Sequence, residues 1–188
     1  MTLGLVTSAY LDQLPEVPGL RYEIIDGELY VSRQPTLGHQ RASGRAYRAV
    51  DEWSERTGLG EAFNTPGLVL ANDEDVVPDV VWVSRARLAE AQDERGHLQL
   101  APELVIEVLS PGPVNEARDR QIKLALYARQ GVEEYWVVDW LQHLVEVFRR
   151  SVGGLELAAR LGDGDILKSP LLPGFTLTAS TLWAERFS

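Results

Sequence analysis

The chain has no cysteine, a single methionine and only two lysines, Lys123 and Lys168, among its 18 basic residues. Without thiols it can form neither disulfides nor thiolate metal sites, a usage that fits a cytoplasmic protein. No apolar run reaches the ~18 residues that a membrane-spanning helix needs, so a membrane span is excluded on length. The first ten residues carry no Lys or Arg and no long apolar block, and read poorly as a signal peptide. Positive charge is short overall: 28 acidic residues outnumber the 18 basic ones, for a formal net charge of −10. That balance opposes general affinity for polyanions, so any contact with nucleic acid must rest on local charge.

What the chain does have is enough apolar material for a core. Its 188 residues, 45% hydrophobic, suit one domain over 1–188, with a lead-in over 1–20 and a C-terminal extension over 150–188. A short helical turn is expected around Ala9 to Leu14. Tyr22 to Ile25, the Asp26-Gly27 pair and Glu28 to Ser32 predict an N-terminal β-hairpin, because Asp-Gly suits a turn with positive φ at both central residues. From about His39 to Thr57, Ala42, Ala46, Ala49, Val50 and Trp53 recur at helical spacing, and Gly58 fits the stop. Arg41, Arg45 and Arg48 line an adjoining face as a candidate DNA contact, although such stripes are more often simply solvated.

Glu61 to Leu70 reads as one strand bulged at Pro66-Gly67, and Ser84 to Gly96 as a short helix and loop. Val76 to Val83 and Pro102 to Leu109 read as buried strands. Asn115 to Arg129 predicts a helix capped by Asn115 and stopped by Gly131. Pro111 and Pro113 before it are expected to lie outside both strand and helix. Tyr135 to Asp139 and Leu144 to Phe148 suit a hairpin, and the chain from Leu155 onward promises short strand fragments at best. The fold class is α/β (α+β), a mixed sheet flanked by helices.

Two of the buried strands carry a misplaced charge. Asp79 opens one otherwise apolar run and Glu107 interrupts another, and an ionised carboxylate there costs several kcal/mol unless a cation meets it. A metal ion or an ammonium group would serve. Lys123, on one helix face with Asp119 and Tyr127, is the natural ammonium, and as a lysine it can lose its proton when desolvated. Asp119 and Lys123 read equally well as an ordinary i, i+4 ion pair. Two carboxylates with open coordination suit Mg²⁺, which prefers oxygen ligands and keeps several waters.

Pro78-Asp79, Glu107 and a following lysine resemble the signature of the PD-(D/E)xK nuclease superfamily. Tyr22 to Leu29, Val77 to Val80, Glu103 to Ser110 and Gly131 to Asp139 resemble, in order, the Uma-type restriction-endonuclease family. This resemblance spans about Tyr22 to Phe148. It implies a restriction-endonuclease-like fold, Mg²⁺ (or Mn²⁺) held by Asp79 and Glu107, catalysis by Asp79, Glu107 and Lys123, and DNA as substrate. Glu28 and His39 match further family-like polar positions, and Asp119 is a third supporting candidate. Cutting both strands of a duplex would suit a homodimer. One departure stands out: Leu109 occupies the position where the superfamily expects lysine, so the amine must come from the helix as Lys123. That departure and the acidic total also allow a catalytically inactive nuclease-like binding or assembly module, or a hydrolase for another phosphoester.

Overall fold

The computed structural model describes residues 5–15, 17–91 and 96–184. In chain order the elements are α1 (Ser8–Leu11), β1 (Leu20–Ile25), β2 (Glu28–Arg33), α2 (Leu37–Thr57), β3 (Gly60–Asn64), β4 (Leu68–Ala71), β5 (Glu74–Val76), β6 (Val80–Ser84), α3 (Arg85–Leu88) and β7 (Leu104–Val108). They continue with α4 (Pro113–Ala117), a π-helical turn (Arg118–Ile122), α5 (Lys123–Gln130), β8 (Glu134–Asp139), β9 (Leu144–Ser151), β10 (Gly154–Leu161), β11 (Ile166–Leu167), β12 (Leu177–Thr178) and a closing 3₁₀ turn. The main sheet runs β10-β9-β8-β7-β6-β3, and a smaller one runs β2-β1-β5-β4. All main-sheet pairs are antiparallel except β7–β8, whose parallel pairing requires the helical crossover through α4 and α5. Among the described residues no helix is long and apolar enough to cross a membrane.

The main sheet is covered on both faces. Alternate residues Leu104, Ile106 and Val108 point with Trp82 and Trp136 toward α2, where Ala42, Ala46, Val50 and Trp53 meet them. Val105, Val81, Tyr135 and Val137 point the other way, toward Leu126 and Tyr127 of α5 and toward Ile25 and Val76 of the small sheet. Strands covered on both faces read as continuous apolar runs, which is how β7 and β8 look in sequence. Glu107 falls on the α5 side by the same alternation.

The Asp26-Gly27 turn has φ of 52° and 71°, as its two residues predict, and sets the β1–β2 register from Ile25–Glu28 to Leu20–Arg33. Gly58 and Gly131 end their helices in left-handed conformation. Other expectations are corrected. Val76 to Val83 is two strands: proline at 78 cannot donate to a ladder, and the chain there leaves the small sheet and enters the main one. Glu61 to Leu70 is likewise divided between the two sheets, at Thr65 (φ 50°) to Gly67. The helix expected from Asn115 starts at Pro113, the N1 position where a missing N–H costs nothing, behind Gly112 as its N-cap. The Asn115 amide instead donates to the carbonyl of Pro111.

The chain beyond Leu155 is more ordered than its sequence promised. β10 is a full strand on β9, but a register shift between Leu157 and Ala159 breaks the two-residue alternation that would have revealed it. Leu172, Phe175, Ala179 and Leu182 then complete the α2-side core.

Gly60 is a close-packing test of this arrangement. A Cβ there would stand 2.3 Å from the carbonyl oxygen of Val83 and 2.5 Å from the Trp82 ring. Gly60→Ala should therefore lose about 1–3 kcal/mol of stability, read from urea unfolding; an unchanged midpoint would contradict the β3–β6 packing described.

Candidate active site

The two sheets meet where the chain crosses between them, and that junction collects buried charge. Asp79 sits just before β6, and the Val80–Ile106 pairing sets it beside Glu107 on β7. Its Oδ2 accepts the N–H of Val108 at 2.9 Å and lies 3.2 Å from Nε2 of His39, which α2 supplies from its first turn. Its Oδ1 lies 3.8 Å from Arg21 of β1. From the opposite side, Nζ of Lys123 lies 2.9 Å from both Glu107 Oε1 and Glu23 Oε1. The Tyr127 hydroxyl donates to the same Glu107 oxygen at 2.8 Å. Lys123 is 2% exposed, so this is a dry contact.

The amine arrives through the π turn. The Lys123 N–H bonds the Arg118 carbonyl, an i→i+5 closure, which brings residues five apart onto one face. Arg118 and Asp119 are consequently buried beside Lys123. Arg118 Nε donates to Asp119 Oδ1 at 3.0 Å, its Nη1 lies 4.0 Å from Glu23, and the Tyr135 hydroxyl donates to the Asp119 carbonyl. Leu109 is buried in the α5-side core, so a lysine there would have to enter an apolar environment.

The structure thus brings together Asp79, Glu107, Lys123, His39 and Asp119. It does not bring in Glu28, which follows the hairpin turn directly, faces solvent and accepts the Tyr30 hydroxyl. The carboxylate the hairpin contributes is Glu23. Its sequence signal was the one used for Glu107, an acid beside apolar residues (Ile24, Ile25) on a buried strand. Arg21, Arg118 and Tyr127 complete the surroundings; only Tyr127 was marked in sequence, by its helical spacing from Lys123. The expected arginine stripe is not a continuous positive surface. Arg45 donates to the carbonyls of Thr181 and Ala184, Arg48 pairs with Glu52 at 3.0 Å, and Arg41 is exposed on α2.

Four buried carboxylates (Glu23, Asp79, Glu107, Asp119) face Lys123, Arg118 and His39. Burial pushes His39 down, but its bond to Asp79 and the charges of Asp79 and Glu107 more than reverse this, so it is raised. Burial raises Glu23 too, yet Lys123 and the Val77 N–H hold it below the usual carboxylate range. Burial likewise raises Asp79, and the bond and charge of His39, with the Val108 N–H, bring it below that range. The shortfall falls on Glu107. Burial, only partly countered by Lys123 and reinforced by Asp79 and Asp119, pushes it up to about 7. Burial pulls Lys123 down, but Glu107, Glu23 and Asp119 raise it above the ordinary lysine value. The expectation that desolvation could deprotonate Lys123 is therefore corrected: it stays an ammonium.

Among the described residues no three His, Asp or Glu side chains group to hold a metal by themselves. The donor set nonetheless suits a hard cation that prefers oxygen ligands. Glu107 Oε2 makes no hydrogen bond among the described residues, Asp79 Oδ1 has only the distant Arg21, and Nδ1 of the buried His39 has no partner. The cavity they line, with Glu23 and Lys123, is about 20 Å³, room for roughly one water-sized body.

The Uma2 family, described as "Putative restriction endonuclease", matches residues 8–180. The chain belongs to the Uma2 family. The crystal structure of "a putative nuclease belonging to DUF820" from Anabaena variabilis ATCC 29413 has a similar fold. Its TM-score is 0.76 at 18% identity, over 95% of this chain and 97% of that one. None of the curated proteins matches.

Two outcomes test the electrostatics. Lys123→Met should cost about 3–5 kcal/mol in urea unfolding, because it strands two buried acids. Glu107 keeps its proton to about pH 7 in the fold against an ordinary 4.5, so its ionisation lowers stability as pH rises from about 4.5 through about 7. Glu107→Gln removes that slope, and its melting temperature in EDTA should climb relative to wild type across the window; a constant difference contradicts the assignment.

Proposed function

We propose that this Uma2-family chain is a divalent-metal-dependent nuclease that hydrolyses phosphodiester bonds in DNA. The observation that carries the reading is the convergence of Asp79 and Glu107 on one small cavity with the Lys123 ammonium 2.9 Å from Glu107. Membership of a restriction-endonuclease-type family supports the substrate class.

Asp79 Oδ1 and Glu107 Oε2 are the oxygens that would hold Mg²⁺ or Mn²⁺, their partner oxygens being tied to His39, Val108, Lys123 and Tyr127. Bound there, the ion supplies a Lewis acid for charge developing on the phosphate and for water activation. The rest is done by the chain. Lys123, kept protonated by its acid neighbours, cannot serve as a base; it positions a water or a phosphate oxygen and offsets negative charge. Glu23 fixes the ammonium from the hairpin side, so its role is to position Lys123. Tyr127 holds Glu107 Oε1 and leaves Oε2 to face the cavity. His39 steadies Asp79 through Nε2 at the cavity wall.

A catalytically silent relative of the nuclease fold remains a distinct second reading, favoured by the tight Glu23–Lys123–Glu107 bridge, which any catalytic use of Lys123 must loosen. The readings separate in one series. With Mg²⁺ or Mn²⁺, the wild type should cleave single- or double-stranded DNA, EDTA should abolish this, and Asp79→Asn and Lys123→Met should each lose about 10²-fold or more in rate. Calorimetry should show Mn²⁺ binding to wild type and none to Glu107→Ala. Metal binding to neither protein, together with inertness toward every DNA form, decides for the silent module.

A further inference from the structure

The cavity among the acids holds about one water-sized body, so a substrate must be received outside it. A groove of about 280 Å³ adjoins it, lined by Ser32, Arg33, Gln34, Thr36, Ser110 and Asn115 along with Pro111. Ser32, Arg33 and Ser110 belong to both walls, so the groove opens directly onto the acids. Its lining contains no carboxylate, in a chain whose net charge is −10. By contrast, the 310 Å³ cavity beyond the other end of α2 is walled by Asp51, Glu55 and Glu61. Arg33, the last residue of β2, is exposed. Leu37, 85% exposed, directly follows Thr36 of the lining, and Val114, 82% exposed, directly precedes Asn115.

We propose that this groove is the substrate channel and that it takes one unpaired DNA strand in preference to a duplex. The identity of the phosphate group rests on the nuclease reading above; the groove's selectivity does not. Three features converge on the occupant. The volume, about 280 Å³, lies close to the ~300 Å³ lower bound of small-ligand sites and is enough for a nucleotide unit. The walls offer hydroxyls, two side-chain amides and one guanidinium, which suit sugar and phosphate oxygens along a single backbone. Exposed Leu37 and Val114, next in sequence to Thr36 and Asn115 of the lining, offer apolar surface to bases that have left their stack, as apolar wedges do elsewhere.

Charge density decides between strand and duplex. A duplex presents one negative charge per ~1.7 Å of axis, a single strand half that density, and duplex binding typically draws on several Lys or Arg contacts. The groove supplies one arginine at its wall, while Arg21 and Arg118 at its floor face acids. A chain of this charge can accept the sparser polyanion far more readily than the denser one.

The test is fluorescence anisotropy on the full chain in Ca²⁺, with a labelled oligonucleotide free and annealed to its complement. The single strand should bind about tenfold more tightly than the duplex, a difference of about 1.4 kcal/mol. Arg33→Glu and the double variant Leu37→Ala with Val114→Ala should each weaken single-strand binding several-fold; these residues are exposed, so folding is not at stake, and melting curves verify that. Equal or tighter duplex binding, or variants that bind like wild type, overturns the proposal. Binding with these properties but no cleavage under any metal sinks only the nuclease reading. Cleavage confined to duplex and indifferent to Arg33→Glu sinks only the groove.

Discussion

The structure depends on one buried bridge: the Lys123 ammonium held between Glu107 of β7 and Glu23 of β1. It joins the helix of the β7–β8 crossover, the centre of the main sheet and the N-terminal hairpin through one ammonium and two carboxyl groups with almost no access to water. In such surroundings each charge is tolerable only because the others are present. The same condition fixes the hairpin in place. Without the ammonium, Glu23 would keep only the Val77 N–H and the more distant Arg118.

This bridge also explains how a lysine can reach the acids from an unusual direction. The place two residues beyond Glu107 is Leu109, whose side chain belongs to the apolar packing with Val105 and Val137, so β7 itself has no room for an amine. The π turn solves the reach. By closing over five residues it brings Arg118 and Lys123 to one face, supplying the amine together with a guanidinium that pairs with Asp119 and lies near Glu23. A regular helix of the same length would turn one of the two away.

How much of this was legible in the sequence follows from what each signal depends on. Asp79 and Glu107 were readable because a charge in an apolar strand is anomalous whatever the tertiary context, and Lys123 because lysine is so scarce in this chain. Glu23 carried the same anomaly but lies beside an Asp-Gly turn that drew attention to Glu28 across it; only the three-dimensional pairing shows that Glu28 faces water. The division of Val76 to Val83 between two sheets was signalled by Pro78, whose missing N–H demands a strand end, yet the destination of the two halves is a tertiary fact. The β10 bulge and the π turn were not legible at all. Each inserts a residue into a regular period, and a period-based reading fails where the period shifts. The arginines of α2 formed a stripe by spacing alone, but spacing does not say what lies opposite, and the C-terminal turn and Glu52 answer Arg45 and Arg48.

The excess of acid at the junction has a consequence for how the site rests and works. Four carboxylates face Lys123, Arg118 and His39 there, and burial, reinforced by Asp79 and Asp119, pushes Glu107 up to about 7. On the proposed metal-dependent reading, ion and proton would compete for that one carboxylate. Under the proposed reading, a bound cation would supply part of the compensation that Glu107 draws from Lys123. The contact that ties the hairpin to the main sheet is thus also the one that any catalytic use of Lys123 would have to loosen.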